Sequence, residues 1–327
     1  MTNKQREILE YIKNEGFVTA HNIAKVFSIG GSMTHRHLKN LLEQGLITKQ
    51  GIPPKVFYSA PINTGSPDPI FQVSNKDVDI IEKNFTLLEP DGTEITGMNG
   101  FIKWCTDRKL EVEDKAKEYV SLLRDYSQFK KSGVIDATQK LYDTFKDDKL
   151  FLDKLYYLHS YSLPVFGRTK IGQWLFHAKQ SQNKILMNKV LEIIVPEIKT
   201  FIENEKPDSI AFVPPTIKRI PQFMKELEKF LKINLPMIKI EKIQTTIPVQ
   251  QKSLKDIKDR IINANSTMVI QNKNIHYKKV LLIDDFTGSG ATLNIIAKKM
   301  KEQYIAENVI GLTITGSMNG FEIVKEV

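Results

Sequence analysis

The stretch KKVLLIDDFTGSGATL, from Lys278 to Leu293, limits the fold more than any other part of the chain. Val280-Leu281-Leu282-Ile283 is an unbroken aliphatic run, the pattern of a strand buried on both faces. Asp284 and Asp285 stand where such a strand ends. Thr287-Gly288-Ser289-Gly290 alternates hydroxyls with glycines, and Ala291, Leu293, Ile295, Ile296 and Met300 then keep helical spacing. A phosphate fits a strand-turn-helix joint of this kind. Backbone N–H groups and the positive end of the helix dipole converge there, and glycine lets the backbone come close. The adjacent carboxylates suit hydroxyl groups, or a metal, held beside that phosphate.

The stretch is not a P-loop, because no Gly-Lys-Ser/Thr follows at the required spacing, nor is it a G-x-G-x-x-G turn with a distant acid. An ordinary β-turn-α joint, with Asp and Ser as caps and turn residues, is the plainer alternative. Apolar run, Asp-Asp, two variable residues, a short hydroxyl/glycine turn and Ala-Thr closely resemble the phosphoribosyl pyrophosphate (PRPP) signature of type I phosphoribosyltransferases. The resemblance implies that Asp284 and Asp285 meet the ribose hydroxyls. It implies that Thr287, Gly288, Ser289, Gly290, Ala291 and Thr292 cradle the 5′-phosphate, and that Mg²⁺ is touched by the acidic pair only indirectly, through PRPP. Gly288 departs from the family pattern, which usually has Thr there.

Residues 151–327 alternate strand and helix. LYYLHSYSL starts as a strand, Ile171–Ala178 and a long stretch from Lys184 to about Glu203 are helical, and Ser209–Val213 and Met237–Ile240 are strands. Such alternation predicts a Rossmann-like parallel sheet, with ligands beyond the carboxyl ends of its strands. After Val213 come Thr216, Lys218 and Arg219, donors and cations at the place where the resemblance puts the diphosphate loop; the bland alternative is a Pro-stopped strand end. Gln251, Leu254, Arg260 and Asn263 resemble the polar segment of ComF-type proteins, a branch of the same superfamily, with about one extra residue before the Arg. Arg168 and Lys179 match a ComF segment further upstream. Arg260 is thereby a catalytic and diphosphate candidate on a segment able to fold over the site. The cysteine zinc module usual at the N-terminus of ComF proteins is missing.

Residues 1–60 read as three short helices and a hairpin. Thr2 or Asn3 caps the first, with Ile8, Leu9 and Ile12 on one face; Thr19 starts the second; Met33, His37, Leu38, Leu41 and Leu42 give the third its periodicity. Leu46–Thr48 and Val56–Tyr58 flank the turn Gly51–Lys55. This resembles the winged helix-turn-helix family, whose third helix enters the major groove. The resemblance puts Ser32, Thr34, His35, Arg36, Lys39 and Asn40 on the exposed face, with Arg36 and Asn40 suited to base edges, and Lys39, Lys49 and Lys55 to phosphates. A protein–protein or dimerisation module is the alternative.

Residues 61–75 are rich in Pro, Gly, Ser and Asn and read as a linker. Residues 76–150 read as an accessory, mostly helical segment: a turn at Pro90-Asp91-Gly92 between short strands, then helices carrying Phe101, Trp104 and Cys105; Ala116, Tyr119, Val120 and Leu123; and Ile135, Leu141 and Phe145. No chemistry is legible there, and connecting or dimerising the chain is its expected role.

Charge sharpens this partition. Residues 1–60 carry 8 basic and 4 acidic side chains, residues 61–150 carry 13 and 17, and residues 151–327 carry 26 and 17, for the net +9. Basic ends around an acidic middle fit two anion-binding parts. One cysteine, Cys105, excludes internal disulfides and cysteine zinc sites. No membrane span or signal-peptide pattern is present, so a cytoplasmic protein is the default. The resemblances imply a Mg²⁺-dependent, PRPP-binding transferase with a DNA-binding domain. The alternatives are a PRPP- or nucleotide-responsive regulator, or an effector or accessory of a phage-defence or DNA-handling complex. A homodimer or larger assembly fits any of them.

Overall fold

In the computed structural model the described residues are 1–60, 73–145, 149–215, 217, 219–243, 254, 257–271 and 275–317. The chain divides into two compact units, one of Met1–Phe71 with Pro90–Thr93 and one of Gln72–Glu89 with Glu94–Val327.

The first unit is a winged helix. Helix α1 (Asn3–Glu15) is capped by Thr2, whose hydroxyl accepts from Gln5 N while the Gln5 side chain accepts from Thr2 N. Helix α2 (Ala20–Phe27) is capped by Thr19, and α3 (Gly31–Glu43) is followed by the antiparallel pair β1 (Thr48–Ile52) and β2 (Lys55–Ser59). Ile8, Ile12, Ile23, Leu38, Leu41 and Ile47 close its core. On α3 the inward positions are Thr34, Leu38 and Leu41, while Met33 is half exposed. Apolar character alone misplaces Met33, because the helix begins at Gly31 and its inward stripe falls one residue later.

The second unit opens with α4 (Asn75–Asn84), capped by Ser74, then the hairpin β3 (Thr86–Leu88) and β4 (Glu94–Thr96), α5 (Gly97–Asp107), α6 (Val112–Gln128), β5 (Lys130–Lys131), β6 (Val134–Asp136) and α7 (Thr138–Thr144). It continues through β7 (Lys154–Ser160), β8 (Ser162–Leu163), β9 (Gly167–Arg168), α8 (Lys170–Ser181), α9 (Lys184–Glu205), β10 (Ser209–Phe212), α10 (Phe223–Leu231) and β11 (Ile240–Lys242). Last come α11 (Ile257–Thr267), β12 (Met268–Ile270), β13 (Tyr277–Thr287), α12 (Ala291–Glu302) and β14 (Ala306–Gly316). The expected linker lies outside the described residues apart from its last three, of which Ser74 caps and Asn75 begins α4.

The main sheet has the order β10-β13-β14-β7-β6-β5; the first four strands are parallel, and β6 and β5 are antiparallel. The fold is thus α/β with a mixed, mostly parallel sheet rather than a wholly parallel one. Ile135, expected on a helix, sits on β6 opposite Tyr157 of β7, so the stretch before residue 150 supplies two strands to the sheet. Residues 134 to 145 mix helical and strand spacing, and the free edge of β7 decides for pairing. Met237 makes only an isolated bridge to Ile210, and the strand expected there lies slightly later, at β11, paired with β12.

Helices cover both faces of the sheet. Leu281 and Ile283 of β13 pack with Val190, Leu191 and Ile194 of α9 and Leu227 of α10, while Val280 and Leu282 pack with Ile296 and Met300 of α12 and Leu141 of α7. All four strand residues are fully buried, a gross gain of roughly 6–12 kcal/mol before ordering entropy is set against it. That burial anchors the strand whose far end carries the acidic pair.

Candidate functional site

β13 does not stop at the acidic pair. It keeps pairing with β14 through Asp284 opposite Thr313 and Thr287 opposite Gly316, so both carboxylates are held by sheet geometry rather than by a loop. Thr315 Oγ1 donates to the Asp285 carbonyl at 3.2 Å. The chain then turns through Gly288, Ser289 and Gly290 into α12. Gly290 has φ +77°, and a Cβ there would lie 2.5 Å from Leu141 Cδ2, so glycine is required on both counts. No side chain caps α12; Ser289 Oγ makes only a long 3.4 Å contact from Ala291 N. The first-turn N–H groups of such a helix have no acceptor inside the helix. Thr287 Oγ1 is buried and has no hydrogen-bond partner among the described residues. An unpartnered hydroxyl thus stands three residues ahead of an uncapped helix N-terminus, the kind of place where a bound anion finds donors.

Two lysines from distant segments flank the acidic pair. Lys179 Nζ, near the end of α8, lies 2.5 Å from Asp285 Oδ2. Lys242, at the end of β11, acts on Asp284 electrostatically, and its own ammonium is pushed down by burial. Asp285 N donates to Asp284 Oδ1 at 2.8 Å. Desolvation first, and the neighbouring Asp285 carboxylate second, drive the Asp284 carboxyl well above the usual carboxylate range, and Lys179 and Lys242 offset only part of that. The ComF-like segment flagged Lys179 in the sequence. Nothing flagged Lys242, whose pairing depends on a register that only the folded chain defines.

Arg260 reaches the turn from α11. Its Nη1 lies 3.9 Å from where a Gly288 Cβ would stand, its Nε donates to Leu254 O at 2.8 Å, and burial lowers its guanidinium from the ordinary value. Gly288 also sits against Phe286 Cε1, at 3.5 Å from the same position. Asn263 Oδ1, on the same helix, is buried without a partner among the described residues. Arg219 is tied to α8 through Gln180 Oε1 at 3.1 Å, one residue from Lys179. Thr216, Lys218 and Gln251 lie outside the described residues. Arg168 places its guanidinium 4.0 Å over the Phe176 ring and donates from Nε to Tyr161 OH at 3.0 Å; Tyr161 meets Phe286 edge-on at 5.1 Å. The ComF-like match at Arg168 thus falls on an aromatic cluster that reaches the residue after Asp285.

In the first unit, Ser32, His35, Arg36 and Lys39 are exposed along one face of α3 and Asn40 is half exposed, while Lys49 and Lys55 are exposed on the hairpin. Thr34 is a correction. It is fully buried, and its hydroxyl donates to Gly30 O at 3.1 Å, so it belongs to the helix–core contact and not to the outer face. Residues 1–48 match the family model of winged helix-turn-helix DNA-binding domains, and the first unit is such a domain. No curated protein matches the chain. Among solved structures, a hypoxanthine phosphoribosyltransferase from Staphylococcus aureus matches over 40% of this chain and 65% of its own length, at 14% identity and a TM-score of 0.26. The chain therefore covers less than two thirds of that enzyme. Among the described residues no helix is long and apolar enough to cross a membrane.

Proposed function

We propose that the second unit binds PRPP and transfers or processes its phosphoribosyl group in a chain that also binds DNA through its winged helix. The observation that carries this reading is the unpartnered, buried Thr287 hydroxyl just ahead of the uncapped N-terminus of α12, on the strand end that also holds the two carboxylates. The turn and the α12 N–H groups hold the 5′-phosphate. Asp284 and Asp285 accept from, or donate to, the ribose hydroxyls. Lys179 and Lys242 stand beside the acidic pair and Arg260 beside the turn, where negative charge would collect as a diphosphate leaves C1 of the sugar, and Arg219 is tied to Gln180 on the helix of Lys179. Among the described residues no three His, Cys, Asp or Glu side chains are grouped to hold a metal. Asp284 and Asp285 are the residues that would stand beside a Mg²⁺ brought in with the diphosphate, and it would supply neutralisation of the leaving group.

The ComF-like identity belongs to the same proposal, resting on Arg168, Lys179, Arg260 and Asn263. A second reading, a PRPP- or nucleotide-responsive DNA-binding regulator, is favoured by the winged helix in the same chain. One set of measurements separates the two. Calorimetry with PRPP and Mg²⁺ is expected to give binding that the double variant Asp284→Asn, Asp285→Asn abolishes. Diphosphate release with a nucleobase panel marks the transferase. Binding without turnover, with DNA affinity that changes when PRPP is added, marks the regulator. Unchanged PRPP affinity in the double variant would overturn the site assignment.

A further inference from the structure

The segment before residue 150, silent in sequence, brings a cation to the phosphate turn. α7 lies against that turn: Leu141 is the side chain that a Cβ at Gly290 would strike. Lys140, the preceding residue, directs Nζ to the carbonyl of Ser317, whose own amide donates to the Thr287 carbonyl at 3.4 Å. The ammonium is thus one residue pair away from Thr287, the residue with the unpartnered hydroxyl. Its only side-chain partner among the described residues is that neutral carbonyl, and it makes no ion pair with any of them. A half-buried ammonium facing one carbonyl is an expensive arrangement unless an anion completes it. Burial alone pushes this lysine down to about 8, with no carboxylate holding it up.

We propose that Lys140 is a binding residue for the phosphate monoester in the turn and supplies the counter-charge that the turn itself lacks. This rests on the ribose-phosphate reading of the site and extends it to a residue outside the signature. An ammonium at this point favours a dianionic monoester over a neutral sugar hydroxyl, so Lys140 sets the preference for a 5′-phosphorylated ligand. Diphosphate without a sugar, held by the cations near the acidic pair, does not depend on it.

The test uses the full chain and two probes, ribose 5-phosphate and inorganic diphosphate with Mg²⁺, by calorimetry. Lys140→Met and Lys140→Gln are expected to weaken ribose 5-phosphate at least tenfold, to leave diphosphate within twofold, and to melt no earlier than wild type; Lys140→Arg should restore most of the lost affinity. Equal ribose 5-phosphate affinity in the neutral variants overturns the role of Lys140 alone. So does an equal loss of both probes, or collapse of both neutral variants in a thermal melt. Wild type that ignores ribose 5-phosphate overturns the ribose-phosphate reading, and this inference with it.

Discussion

Asp284→Asn is expected to stabilise the second unit at neutral pH while damaging the site, and the structure gives the size. The groups facing Asp284 are Asp285, Lys179 and Lys242. Desolvation and Asp285 raise its folded pKa above that of the unfolded chain, so the native state keeps a proton that the unfolded chain loses. Below the ordinary carboxylate pKa both states are protonated and Asp284 costs nothing. Above it only the unfolded chain ionises, and stability falls by up to about 1.4 kcal/mol per pH unit until the folded pKa is reached. Between about pH 4 and about pH 6 that amounts to roughly 3 kcal/mol. Asparagine has no such slope, and its side-chain oxygen still accepts from Asp285 N, where Asp284 Oδ1 now does at 2.8 Å. At roughly 2–4 °C per kcal/mol for a unit of this size, the variant should melt about 5–10 °C above wild type at pH 6, with the gap closing toward pH 4. Differential scanning calorimetry is the assay, because two units need not unfold together. A variant that melts below wild type at pH 6 would refute the reasoning. It would show an ionised Asp284 held in place by Lys179 and Lys242.

Thr287→Val keeps the shape and removes the unpartnered hydroxyl; it should raise stability by about 1 kcal/mol in the absence of ligand and weaken ribose 5-phosphate binding, read by calorimetry and a melt of the same sample. On the winged helix, Arg36→Ala should cost about 1–3 kcal/mol of DNA affinity and relax sequence preference, whereas Lys55→Ala should lower the salt slope by about one phosphate contact, both by fluorescence anisotropy across a salt series. Thr34→Ala is the control: it should destabilise the domain and leave the affinity of the folded fraction unchanged, since Thr34 is buried.

The sequence made the central strand legible because its information is local. Four aliphatic residues, two acids and a glycine turn sit within sixteen positions, and burial on both faces of β13 matches the unbroken run. The helix caps at Thr2 and Thr19 were legible for the same reason. What escaped is long-range. Lys179 meets Asp285 across 106 positions, and Lys140 meets Ser317 across 177. No periodicity reports such contacts, because they depend on which strand ends the topology gathers at one edge. Ile135 escaped by ambiguity: its short apolar stretch suits helix or strand, and only the pairing with β7 resolves it.

The two glycines of the turn do different work. Gly290 is compelled, by its left-handed backbone and by Leu141. Gly288 is not: its φ is not in the left-handed region, and a Cβ there would make ordinary contacts at 3.5 and 3.9 Å with Phe286 and Arg260. Sterics therefore do not explain why the hydroxyl usual at position 288 of the resembled family is missing. Two cations come near the turn instead. Arg260 Nη1 lies 3.9 Å from where a Gly288 Cβ would stand, and Lys140 of α7 reaches the carbonyl of Ser317, whose amide donates to the Thr287 carbonyl. Both cations are carried on elements outside the signature stretch, α11 and α7. A hydroxyl that donates to a dianion is already charge-assisted, so what a cation adds at the turn is neutralisation of the ligand's charge. On the ribose-phosphate reading, affinity at the turn then depends on where α11 and α7 hold Arg260 and Lys140.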